Sequence, residues 1–225
     1  MAESVGTDVA VRPTASVRQH AIRLLVILHA CGEQVKPADP DGCVSVVRAE
    51  MTLQALDFWL RNPDYLAGEL LRLVKAGERP VERLEDVDTL LNDPEPDLHW
   101  YPMPRWHYGA YEAIDDAFAV LSSYGLAMVR RRGGVKKVSA SQFFLTEAGV
   151  KAVAALAAEP VLRWYTDQVK LVALVAGKDN GKTLKRRQYE QAEYANTKLG
   201  VTIAPIADVV REELAAVRAE LGGKI

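Results

Sequence analysis

The stretch Tyr108–Leu156, YGAYEAIDDAFAVLSSYGLAMVRRRGGVKKVSASQFFLTEAGVKAVAAL, decides how the chain folds. Ala110, Ile114, Ala117 and Leu121 recur at helical spacing, so its opening segment has a single face to bury. Gly125 follows where a helix ends best, because glycine takes the positive φ of a C-terminal cap without steric cost. Leu126 and Met128 then alternate with Ala127 and Val129 as a short strand, Gly133-Gly134 reverses the chain, and Gln142–Leu145 returns. Thr146, with Glu147 in the first turn, is an N-cap for a helix carrying Val150, Val153 and Leu156.

Helix, strand, charged hairpin, strand and helix make the element order of a winged-helix module. The expected fold is therefore mainly α with a small β-hairpin wing: a winged-helix domain with additional helices. The same periodicity supplies those helices. Ser16–Cys31 places Val17, Ala21, Leu24 and Leu28 on one face, and its further apolar residues at 25–27 assign it a central place in the core. A loop with two prolines leads to a helix expected over Val46–Leu60. Asn62 and Pro63 restart the chain as cap and first helical residue, with Leu66, Leu70 and Leu73 as the buried stripe. A weaker acidic helix over Pro80–Leu91 precedes the proline-rich loop DPEPDLHWYPMPRWH. Beyond the hairpin, Pro160 opens a helix, TLKRRQYEQAEYANTKL reads as one charged helix, and Pro205 begins the last. Three regions are expected: residues 1–14 as a flexible lead-in, 15–177 as the winged-helix core, and 178–225 as a helical extension.

A formal net charge of -2 removes any general electrostatic pull toward nucleic acid or anionic membranes, so basic patches must be weighed locally. Cys31 and Cys43 have neither metal-ligand spacing nor a disulfide framework, and the N-terminus lacks a signal-peptide pattern. The apolar run Leu24–Leu28 falls far short of the ~20 residues of a membrane span. A cytoplasmic protein without membrane contact is expected.

Ala176–Thr183, AGKDNGKT, fits a loose phosphate-loop form, in which backbone amides cradle phosphates and the threonine holds magnesium. No apolar strand ending in aspartate follows to complete it, so the segment is read as a polar turn between helices. His20 and His29, and His99 and His107, are not at ligand spacing, and Asp39 and Asp41 lack the other ligands of a calcium loop. No catalytic residue, metal or cofactor is expected.

The hairpin holds Arg130, Arg131, Arg132, Lys136 and Lys137, five cations in eight residues. Such a wing suits the phosphate backbone of DNA, where each neutralised phosphate releases a counterion, and equally suits a solvated hairpin tip. The helix before it carries Glu112, Asp115 and Asp116, which a phosphate-lined groove repels; that face fits a protein partner better. Val210, Leu214, Val217 and Leu221 form a narrow terminal stripe that either docks a partner or folds back on the core. Trp100, Tyr101 and Trp106 anchor a partner or cover the chain's own core.

Residues 53–71, LQALDFWLRNPDYLAGELL, resemble a phrase in the middle components of three-component ABC-ATPase defence systems, the Lamassu type included. Leu56, Asp57, Phe58, Trp59, Leu60, Arg61, Pro63, Tyr65 and Leu66 carry the likeness. It implies a non-enzymatic bridging subunit linking an SMC-like ABC ATPase to an effector nuclease in anti-phage or anti-plasmid defence. The alternative is a winged-helix DNA-binding transcription regulator, and a homodimer fits either.

Overall fold

A computed structural model of the chain describes residues 16–93, 103–134 and 137–222. The expected N-terminal lead-in lies outside them. α1 (Val17–Cys31) starts where the Ser16 hydroxyl accepts the Gln19 N–H at 3.1 Å. Leu24 to Leu28 are all buried, because α1 is packed by helices and by the sheet on several sides.

β1 (Glu33–Gln34) and β2 (Cys43–Val47) follow. The helix expected from Val46 begins only at Glu50, and CVSVV is a strand antiparallel to the returning arm of the later hairpin, residues 137–146. Its apolar residues serve both faces of the sheet: Val46 packs with Cys43 and Phe144, Val47 with the main core. Ser45 Oγ donates to the Leu28 carbonyl at 2.6 Å and ties the strand to α1. α2 (Glu50–Arg61) and α3 (Pro63–Lys75) meet at Asn62, whose side-chain amide donates to the Phe58 carbonyl at 2.8 Å. A 3-10 turn over Val81–Arg83 leads into α4 (Leu84–Asn92).

β3 (Arg105–Trp106) and β4 (Gly109–Ala110) form a separate hairpin. The helix expected from Tyr108 therefore starts later, as α5 (Asp115–Ser123). Gly109, at φ 112°, bends the backbone away from helical geometry, and Ala110 lies in a strand. β5 (Ala127–Gly134) and β6 (Lys137–Thr146) form the antiparallel hairpin that the sequence reads as a wing, and Thr146 Oγ1 caps α6 (Glu147–Ala158) by accepting the Gly149 N–H at 3.0 Å. The sheet runs β1-β2-β6-β5, antiparallel throughout, with Val47 opposite Phe143 and Val129 opposite the same residue on the other side.

α7 (Arg163–Ala176), α8 (Gly181–Gln188), α9 (Ala192–Asn196) and α10 (Ala207–Gly222) complete the chain. The single charged helix expected after Gly181 is thus two short ones. Nor are the residues beyond 178 an appendage: Leu184, Tyr194, Ile203, Ile206, Val210 and Leu214 belong to the same buried cluster as α1 and α2. The terminal stripe folds back, with α10 lying on α3 and α4. Val210 and Leu214 are buried and Val217 partly so, leaving Leu221 as the one stripe residue that is exposed. The stripe is core, not a free docking edge.

Candidate functional site

The α2–α3 corner is built from the residues that carry the family resemblance. Both helices are buried around most of their circumference, so a charge that falls on a covered side must find a partner there. Asp57 is fully buried, and Arg61, one turn on, sets its Nε 2.8 Å from the carboxylate. His20 and Arg23 approach the same carboxylate from α1, each at 3.5 Å. Burial pushes the Asp57 carboxyl up, but the charges of Arg61, His20 and Arg23 outweigh it and hold it below the usual carboxylate range. Phe58 meets Tyr65 and Tyr194 edge-on, each with ring centroids 5.0 Å apart. The Arg187 guanidinium lies over Trp59 at 5.2 Å and pairs with the buried Glu69 at 2.8 Å. Asp64 accepts the Ile206 N–H at 2.6 Å, and the Tyr65 hydroxyl donates to the Ala204 carbonyl at 2.7 Å. Asp57 is thus tied to α1, and Asp64, Tyr65 and Glu69 hold the C-terminal segment. In the sequence these charges read as part of a helix corner; Glu50, Gln54, Asp57 and Arg61 even fall on one polar stripe of α2, so nothing local signals the burial of Asp57 and Arg61.

Helical spacing puts Glu112 on the exposed face of a helix. It precedes α5 instead and turns inward, ion-paired with Arg61 and 3.8 Å from His20 Nδ1. Its backbone is clamped by the Gln54 side chain, which donates to the Glu112 carbonyl at 2.6 Å and accepts its N–H at 3.1 Å. The exposed start of α5 therefore keeps Asp115 and Asp116, followed along the outer face by Ala119, Ser122 and Ser123. No cation lies on α5.

The wing also differs from a row of free cations. Arg130 stacks on the Phe144 ring at 5.0 Å and donates to Asp39 at 2.6 Å, to the Ala38 carbonyl at 3.0 Å and to Gln142 at 2.9 Å. Hydrogen bonds from Arg48, the Lys36 N–H and Arg130 hold the Asp39 carboxyl well below the usual range. Arg130 is a sheet-to-loop tie. Arg131 donates to Asp115 at 2.8 Å with both side chains exposed, a contact worth no more than ~1 kcal/mol and easily opened. Lys136 lies outside the described residues, as do the side chains of Arg132 and Lys137. So do Trp100, Tyr101 and His99.

The loop Ala176–Thr183 follows a helix, not a strand. Gly177, at φ 57°, ends α7, and Asn180 Oδ1 accepts the N–H groups of both Lys182 and Thr183 at 3.1 Å. The amides that a phosphate loop offers to its ligand are taken by a helix cap. Among the described residues no group of three or more His, Cys, Asp or Glu side chains could hold a metal ion, and no helix is long and apolar enough to cross a membrane.

A cavity of about 1190 Å³, mostly apolar, opens between the start of α2, the base of the wing, the β3–β4 hairpin and α8. Met51, Trp106, Tyr108 and Tyr111 line it and are solvent-exposed, Tyr108 to 75%. Tyr194 forms part of its wall, with its hydroxyl accepting the Ala110 N–H at 2.7 Å. The residues are in view in the sequence, but the cavity joins five separate segments and has no local signature. Comparison with family models, with curated proteins and with solved structures gives no match to the chain.

Proposed function

We propose that this chain is a winged-helix adaptor without catalytic activity, which binds a protein partner through the start of α5. The observation that carries the reading is the surface of that helix. In a DNA reader it lies in the major groove, among phosphates; here it presents Asp115 and Asp116 and no cation, while Arg130 of the wing is bound into the sheet. The strand order β2-β6-β5, with α5 leading into the β5–β6 hairpin, supports the winged-helix assignment. The resemblance at Leu53–Leu71 supports the partners: an SMC-like ABC ATPase and an effector nuclease of a defence complex. The same resemblance supports a cytoplasmic location.

Co-expression with an SMC-like ATPase encoded beside its gene tests this reading. The two proteins are expected to co-purify, and Asp115→Lys with Asp116→Lys is expected to weaken the complex at least tenfold without lowering the melting temperature of the adaptor. A transcription regulator would instead lack such a neighbour and bind a palindrome upstream of its own gene.

A further inference from the structure

The cavity beside α2 carries an inference independent of the adaptor reading. Its lining is mostly apolar, and its volume of about 1190 Å³ is somewhat larger than the ~300 to ~1,000 Å³ of most small-molecule sites. Four polar side chains of the wall are spent on the fold itself. Gln54 uses both ends of its amide on the Glu112 backbone, and Gln188 donates to the Ala55 carbonyl at 2.8 Å and accepts from the Tyr194 hydroxyl at 3.4 Å. Glu112 is held by Arg61.

Lys185 is different. It is half-buried in the wall, with Nζ 5.3 Å from the ring centre of Tyr108 and 5.5 Å from that of Tyr189. The two ring faces position the ammonium by cation–π attraction. Among the described residues, no carboxylate lies within ion-pair distance of it. Its stem runs beside Gly109, where a Cβ would stand 3.5 Å from Cε and 2.7 Å from the Tyr194 hydroxyl, so the wall here is close-built. Glu50 also lines the cavity, and its charge helps to raise the Tyr111 phenol above its ordinary range, after burial itself. An anionic head is therefore drawn to Lys185 and repelled from the Glu50–Tyr111 region, toward which an uncharged tail can extend. A single lysine with glutamates in the same wall suits a monoanion rather than a phosphate dianion.

We infer that this cavity binds an amphipathic monocarboxylate, its head on Lys185 and its alkyl or aryl body against Met51, Tyr108 and the base of the wing. Calorimetry on the full chain with dodecanoate and with 2-naphthoate, each beside its uncharged counterpart (dodecanol, methyl 2-naphthoate), tests it. One acid or both should bind at a single site, at least tenfold tighter than the uncharged counterpart; tighter dodecanoate assigns an alkyl ligand and tighter naphthoate an aryl one. Lys185→Met should erase the preference for the acid while Lys185→Arg keeps it, each variant first matched to the wild type in melting temperature. Ala113→Trp, which fills the cavity from the segment before α5, should weaken acid and neutral compound together. Failure of both acids to bind at millimolar concentration would overturn the inference. So would an acid preference that survives Lys185→Met.

Discussion

The α2–α3 corner and the wing with α5 are both rich in charge, yet the charges do opposite things. At the corner, Asp57, Arg61 and Glu69 sit inside and join α1, α2, α3 and α8. On the wing and α5, Arg131, Asp115 and Asp116 stand in solvent and join little. The difference bears on what the family resemblance can mean. Most of the side chains that carry it are buried, so the likeness speaks for a shared scaffold. The proposed partner contact lies in the other region, outside the residues that carry the resemblance.

The largest effect is expected at the corner. Asp57→Asn leaves Arg23 and Arg61 inside without the carboxylate they share, and breaking a buried ion pair from one side costs about 3–5 kcal/mol. Urea unfolding at neutral pH measures it. The pH dependence has a definite sign. The folded-state pKa of Asp57 lies below the ~3.9 of an unfolded aspartate. Its stabilisation is therefore complete above that value and is lost as pH falls through it toward the folded one. In Asp57→Asn the acid limb of the stability curve should be flatter than in the wild type. An unchanged urea midpoint would show the cluster to be no keystone.

The terminal helix offers the next contrast, within one stripe. Leu214 is 4% exposed and Leu221 38%. Leu214→Glu puts an unpaired carboxylate against α3 and α4 and should cost at least ~3 kcal/mol. Leu221→Glu should stay within ~0.5 kcal/mol of the wild type. Equal melting temperatures for the two variants would mean that α10 does not sit on the core.

Smaller still are the wing arginines, identical in sequence character and unequal in use. Arg130→Ala removes the tie to Asp39, the Ala38 carbonyl and Gln142 together with the stacking on Phe144, and about 1–3 kcal/mol is expected. Arg131→Ala removes one exposed ion pair and should shift stability by less than ~0.5 kcal/mol. Thermal melts of the two variants side by side decide between them.

What the sequence made legible follows from how local each signal is. The Thr146 cap and the restart at Pro63 are short-range devices and stand where the sequence placed them, whereas Gly133 and Gly134, read as the reversal, are still paired in β5, opposite Val138 and Lys137, and the chain turns only after them. β2 was hidden because CVSVV has no alternating pattern: both its faces are covered, and most of its pairing is with β6, far along the chain. The start of α5 was hidden because YGAYEA keeps apolar spacing, while Gly109 and the Gln54 clamp on Glu112 bend it out of a helix. Candidate site residues suffered most, since an arginine reads the same in sequence whether it faces solvent or, like Arg130, a phenylalanine ring.

The central claim is that the exposed face of α5 and the wing serves a protein partner and does not read DNA. Fluorescence anisotropy of the purified chain with labelled duplexes, one of them the sequence upstream of its own gene, tests it most directly. At ~0.2 M salt, where phosphate contacts have weakened, binding should be weak and equal for unrelated duplexes. Asp115→Lys with Asp116→Lys should raise the affinity for all of them alike, by removing repulsion. Nanomolar binding to one duplex at that salt, lost on exchanging its bases and unimproved by the charge reversal, would contradict the claim and make the protein a DNA reader.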